Sequence, residues 1–160
     1  MIDTRITVNT HELEQYLNQL VQKGKNLDPV MAEIANLLQN TVEEAFEQKA
    51  DPVQGTPWQT LSPITIAAKA KRGYSVPSRP LYGDGTMQRS VNHRSSATQA
   101  IVGVNAMQRG YPYPAVHQFG TKDGKIPARR FLPVDDNGNL ARHVEEEVLA
   151  IFADHFQTEP

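Results

Sequence analysis

The side chains of this chain that could carry chemistry are five histidines, two motif-like turns and a run of cations in the middle of the sequence. His11, His93, His117, His143 and His155 include no pair at the four-residue spacing that sets two zinc ligands on one helix face. There are no cysteines, which removes disulfides, thiolate metal sites, iron–sulfur clusters and a cysteine nucleophile together. Gly120 to Ile126 imitates a phosphate-binding loop. It has three residues between its glycines where four are needed, and Ile126 stands where the magnesium-binding hydroxyl belongs. Asp135 to Asn139 hints at a calcium loop, but aligning Gly138 with the invariant glycine puts Pro133 and Val144 at obligatory oxygen-ligand positions. A hydrolytic pair of His117 with Asp135 or Asp136 is the weakest reading, because no serine sits in a nucleophile elbow and no carboxylate pair is set among apolar residues. The expectation is a protein with no catalytic residue, no metal and no cofactor.

Charge is more informative when divided along the 160 residues. Residues 1–68 carry four basic and nine acidic side chains, residues 69–130 eleven basic and two acidic, and residues 131–160 one basic and seven acidic. A net charge of −2 therefore hides a strongly basic centre between two acidic ends. Such asymmetry points to a charged partner, either nucleic acid or another copy of the chain. Tyr74, Tyr82, Tyr111, Tyr113 and Phe119 interleave with the cations as base-stacking platforms would. Yet no helix-turn-helix, RNA-recognition or zinc-finger pattern is present. Composition alone leaves both readings of the basic segment open.

The elements that must position these residues follow from periodicity. Ile2, Thr4, Ile6 and Val8 alternate with polar residues as a half-buried strand does. Thr10 is placed to cap a helix with Leu13, Leu17, Leu20 and Val21 on one face and Gly24 at its end. Asp28-Pro29 starts a second helix, to about Gln48, whose stripe is Val30, Ile34, Leu37, Leu38, Val42, Ala45 and Phe46. Ser62-Pro63 starts a short third one through Lys71, stopped by Gly73. Residues 73–85 read as an irregular loop, Thr86 to Ser90 as a short helix, and Val91–Ser95 with Thr98–Val104 as a hairpin. Residues 105–134, with Pro112, Pro114, Pro127 and Pro133, read as irregular. Leu140, Val144, Val148, Ile151, Phe152 and His155 form the stripe of a terminal helix over 138–156.

The pattern predicts one α+β domain over 1–160: a small antiparallel sheet packed by helices on one face, with long irregular loops. Its parts are a strand and helices over 1–48, a loop-rich basic middle over 49–134 and the C-terminal helix. No apolar run approaches the ~18 residues of a membrane helix, and Met1-Ile2-Asp3-Thr4-Arg5 does not read as a signal peptide.

Two neighbouring segments are more specific than anything above. Tyr113-Pro114-Ala115-Val116-His117-Gln118-Phe119-Gly120 is followed by Ile126-Pro127-Ala128-Arg129-Arg130-Phe131-Leu132. Upstream, Trp58 and Leu61 precede a lysine-bearing helix, Leu81 leads into Gly85-Thr86-Met87 and Ser90-Val91, and Ile101-Val102-Gly103-Val104 precedes the histidine motif. From about residue 28 to 156 the chain resembles the phage virion morphogenesis family, the Mu G-like tail completion proteins of tailed phages.

The resemblance implies a non-enzymatic structural protein of the head–tail joint, similar in shape to phage neck and tail-terminator proteins. It would act as a ring, with six-fold symmetry by analogy with tail tubes, in contact with tail-tube, terminator or connector proteins. It would be found in the virion, and in the host cytoplasm during assembly. DNA would be channel content only, and no membrane is involved. Within the motif, Gly120 permits a tight turn and Pro127 holds the chain extended. His117 and Gln118 are read as bracing a loop through backbone hydrogen bonds, and Phe119, Phe131 and Trp58 as anchors in the core or a groove. Arg129 and Arg130 are read as interface residues, because arginine forks match carboxylates on a neighbour. On that reading, reversing both charges would spare the fold.

Overall fold

In chain order the elements are β1 (Arg5–Thr7), α1 (His11–Gln22), α2 (Asp28–Gln48), α3 (Pro63–Lys71), α4 (Thr86–Arg89), β2 (Val91–Ser96), β3 (Gln99–Val104), α5 (Tyr113–Phe119) and α6 (Arg142–Gln157). The computed structural model describes residues 5–7, 11–22 and 24–157. The α+β architecture is the expected one, and the strands join in the order β1-β3-β2, all antiparallel.

α2 organises the core. Val30, Ile34, Leu38 and Val42 recur every fourth residue, so they line one face with Met31, Ala35, Ala45 and Phe46, and all are buried. The helix lies across β2 and β3, while α6 packs beside it through Val144, Val148 and Phe152. β3 supplies Ala100, Val102 and Val104 to the same core at the strand period of two. Pro29 stands in the first turn, where its missing N–H costs nothing. The cap is one residue earlier than the sequence indicates: Leu27 holds that place, and Asp28 belongs to the first turn with its N–H donating to Asn26 Oδ1.

The third helix starts as expected, with Ser62 Oγ accepting from the Thr65 N–H at 3.2 Å. The hairpin and the short helix before it also stand where periodicity puts them. Val21 does not: it is exposed, and α1 turns Leu17 and Leu20 towards the core instead. Thr10, Ile2, Thr4 and Val8 lie outside the described residues, as does the side chain of Leu13.

The segment 105–134 is not irregular throughout. It contains α5, because Pro112 and Pro114 fall at the cap and in the first turn, where proline begins a helix rather than breaking one. The C-terminal helix begins at Arg142 rather than 138. Residues 135–139 form a turn in which Asp135 Oδ1 accepts from the N–H groups of Asn137 and Asn139, both at 2.8 Å.

A candidate assembly surface built around a clasp

The motif segments meet. At the end of α5 the Gln118 side chain is buried, and its Oε1 accepts from the N–H groups of Phe131 and Leu132, each at 3.0 Å. The backbone locks alongside it: Arg129 N–H donates to His117 O at 2.7 Å, Gly120 N–H to Val116 O at 2.7 Å and Thr121 N–H to Ile126 O at 2.9 Å. Gly120 has φ 72°, and a Cβ there would come within 2.8 Å of Ala128 N and 2.9 Å of Ile126 O. Only glycine fits between the helix end and the returning strand of chain. Pro127 is half-buried in that returning segment.

The same segment ties down the loop after α2. Trp58 Nε1–H donates to Arg130 O at 2.7 Å, while Arg129 donates from Nε to Gln59 O at 2.8 Å and from a terminal nitrogen to Thr60 O. Phe131 is fully buried, stacked on Phe46 at 5.3 Å between centroids, and Trp58 meets the edge of Phe46 at 5.8 Å. Arg130 pairs with Asp51 at 3.4 Å and with Asp136. Residues about seventy positions apart are thereby fastened into one clasp.

Three expectations change with this geometry. Gln118 ties the returning segment at Phe131 and Leu132 to the end of α5, whereas His117 contributes its main-chain carbonyl and not its ring. Phe131 and Trp58 are core, but Phe119 is not: it is 55% exposed at the tip of α5. Arg129 is only 5% exposed, and Arg130 is held by carboxylates of its own chain. These two guanidiniums are fastenings, and neither is free to meet a neighbour. Nothing in local spacing marked Gln59, Thr60 or Asp51 as their partners.

His117 lines a cleft of about 480 Å³ together with Leu61, Lys69, Tyr74, Tyr82 and Tyr113. Its ring stands edge-on to Tyr113, and its buried Nδ1 has no hydrogen-bond partner. Burial, and secondarily the Arg129 charge, hold its pKa below the usual histidine value. No hydrogen bond joins it to Asp135, whose carboxylate is engaged with Asn137 and Asn139, or to Asp136, which pairs with Arg130. The hydrolytic pair does not form. Among the described residues no group of three or more histidines or carboxylates is placed to hold a metal ion. Among the described residues no helix is long and apolar enough to cross a membrane.

Lys69 is the residue sequence reasoning passed over. Its ammonium donates to Arg79 O at 2.7 Å and Tyr82 O at 2.6 Å, satisfying carbonyls of a loop that has no ladder of its own. Arg79 lies over the Tyr82 ring at 4.9 Å and donates to Phe46 O, and Arg89 donates to Asp84 O. Much of the basic centre is thus used to fix proline- and glycine-rich loops. Their shortage of hydrogen-bonding partners was the available signal.

A model of the phage virion morphogenesis family matches residues 8–157, nearly the whole chain. The chain belongs to that family. It is 30% identical to the Mu-like prophage FluMu G protein 2 of Haemophilus influenzae, over 98% of this chain and 97% of that one. It is 29% identical to the putative capsid assembly protein G of Escherichia phage Mu, over 86% and 87% of the two chains. No solved structure matches. In this chain, then, the clasp sets the scaffold. Phe119, Tyr111, Met107 and Ile64 are large apolar side chains that it leaves on the surface.

Proposed function

We propose that this protein is a non-enzymatic subunit of the phage head–tail joint, a tail-completion or terminator protein that acts as a closed ring. Membership of a virion morphogenesis family supports an assembly role. The observation that carries the reading is the division of labour in the motif. Gln118 Oε1, Trp58, Arg129, Arg130 and Phe131 are engaged inside the fold, while Phe119 is turned out to solvent. An exposed phenylalanine on a rigidly braced helix end is a ready anchor for a protein interface. A ring subunit needs two different faces, one for each neighbour, and six-fold symmetry matches that of tail tubes.

The partners on this reading are neck and tail proteins of the same virion, with DNA present only inside the channel. The nucleic-acid alternative loses ground because Lys69, Arg79, Arg89, Arg129 and Arg130 are all occupied within the chain. Deleting the gene from its phage is expected to leave filled heads and separate tails in electron micrographs. Phe119→Ser, supplied in trans, is expected to fold normally and to restore joining poorly. Joined, infectious particles from the deletion would overturn the reading.

A further inference from the structure

α3 is a nine-residue helix without a single buried side chain. Its turns place Ile64, Ala67, Ala68 and Lys71 along one stripe, three and four residues apart, and all four are exposed, Ile64 at 83%. The opposite face holds half-buried Ile66 and Lys69, and the Lys69 hydrogen bonds to Arg79 O and Tyr82 O pin the helix from behind. The outer front is therefore apolar along its length and basic at its end, where Lys71 and Arg72 follow each other.

A groove of matching character lies elsewhere on the molecule. Between α2 and α6 a cavity of about 410 Å³ has Leu37, Ala150 and Ile151 as apolar lining, with the carboxylates of Glu33, Glu147 and Asp154 around them. Glu33 accepts from His155 at 2.7 Å, which fixes one wall. We propose that α3 of one copy docks into the α2–α6 groove of the next. Small and branched apolar side chains at helical spacing fit the helix-in-groove mode, and Lys71 and Arg72 meet an acidic rim. The two surfaces share no residue, so the contact is head-to-tail, the kind that builds a ring when its rotation closes. The inference rests on the ring reading above and names its two faces.

The absence of cysteine makes the test clean. Ile64→Cys and Ala150→Cys variants, both at exposed positions, are purified separately, mixed and oxidised. The expected product is a cross-linked heterodimer in excess of either homodimer, and the double variant alone should give a ladder. Adding Lys71→Glu and Arg72→Glu to the Ile64→Cys chain is expected to lower the yield about tenfold, without changing the circular dichroism spectrum. Glu147→Lys in the acceptor chain should restore it. Oligomers in native mass spectrometry without the 64–150 cross-link would overturn this docking and leave the ring standing. Cross-linking of Ile64→Cys only to itself would overturn it as well. A protein that stays monomeric throughout would overturn the docking and the ring together.

Discussion

The side-chain carbonyl of Gln118 receives the N–H groups of two successive residues, Phe131 and Leu132, at 3.0 Å each, inside the core. One acceptor satisfies two buried donors that no strand or helix supplies. Replacing Gln118 with leucine keeps the volume and strands both donors. The expected loss is about 2–6 kcal/mol, at the usual 1–3 kcal/mol for each unsatisfied buried group, measured by denaturant unfolding.

Gly120→Ala meets two obstacles at once, a left-handed φ of 72° and a Cβ within 2.8 Å of Ala128 N. It is expected to cost about 2 kcal/mol or more and to lower the Tm by roughly 4–8 °C. Gly138→Ala is the comparison, since its φ of 81° is similar but nothing lies within 4 Å of the added carbon. A calorimetric scan of both separates the clash from the backbone strain.

Charge reversal at Arg129 and Arg130 is expected to unfold the protein, contrary to what the sequence alone indicates. Arg129→Glu would set a carboxylate against the carbonyls of Gln59 and Thr60, and Arg130→Glu would face Asp51 and Asp136. Arg130→Ala alone is expected to cost about 2–4 kcal/mol by leaving the largely buried Asp51 without its partner. Pairing it with Asp51→Asn should recover part of that loss, a non-additivity visible in a double-mutant cycle.

The lowered pKa of His117 has a defined sign. Its neutral form is favoured in the fold by burial and then by the Arg129 charge, so the unfolded chain takes up a proton first. Stability from this site is complete above the unfolded value of about 6.5 and falls as pH drops below it towards the folded pKa. His117→Gln should remove that part of the slope. Unfolding midpoints of both proteins between about pH 7.5 and 5 give the difference directly.

Periodicity made the helical skeleton legible. Val30, Ile34, Leu38 and Val42 announce α2 because burial on one helix face repeats every four residues. Proline count hid α5, since Pro112 and Pro114 carry the same letter whether they open a helix or break one. The motif itself could be read, but its roles could not. Arg129 and Trp58 are joined to residues about seventy positions away, and such bonds leave no trace in local spacing. Arginine also has two uses, pairing with a foreign carboxylate or capping carbonyls at home, and only its burial decides between them.

Lys69 holds α3 to the rest of the protein by hydrogen bonds to two main-chain carbonyls, and the outer face of that helix contributes nothing to the core. Main-chain carbonyls persist whatever residues carry them. The outer positions of α3 are therefore released from the core, and a lineage can change them together with the groove they meet while the scaffold stays the same. Evolvability of attachment is built into the way one lysine is tied.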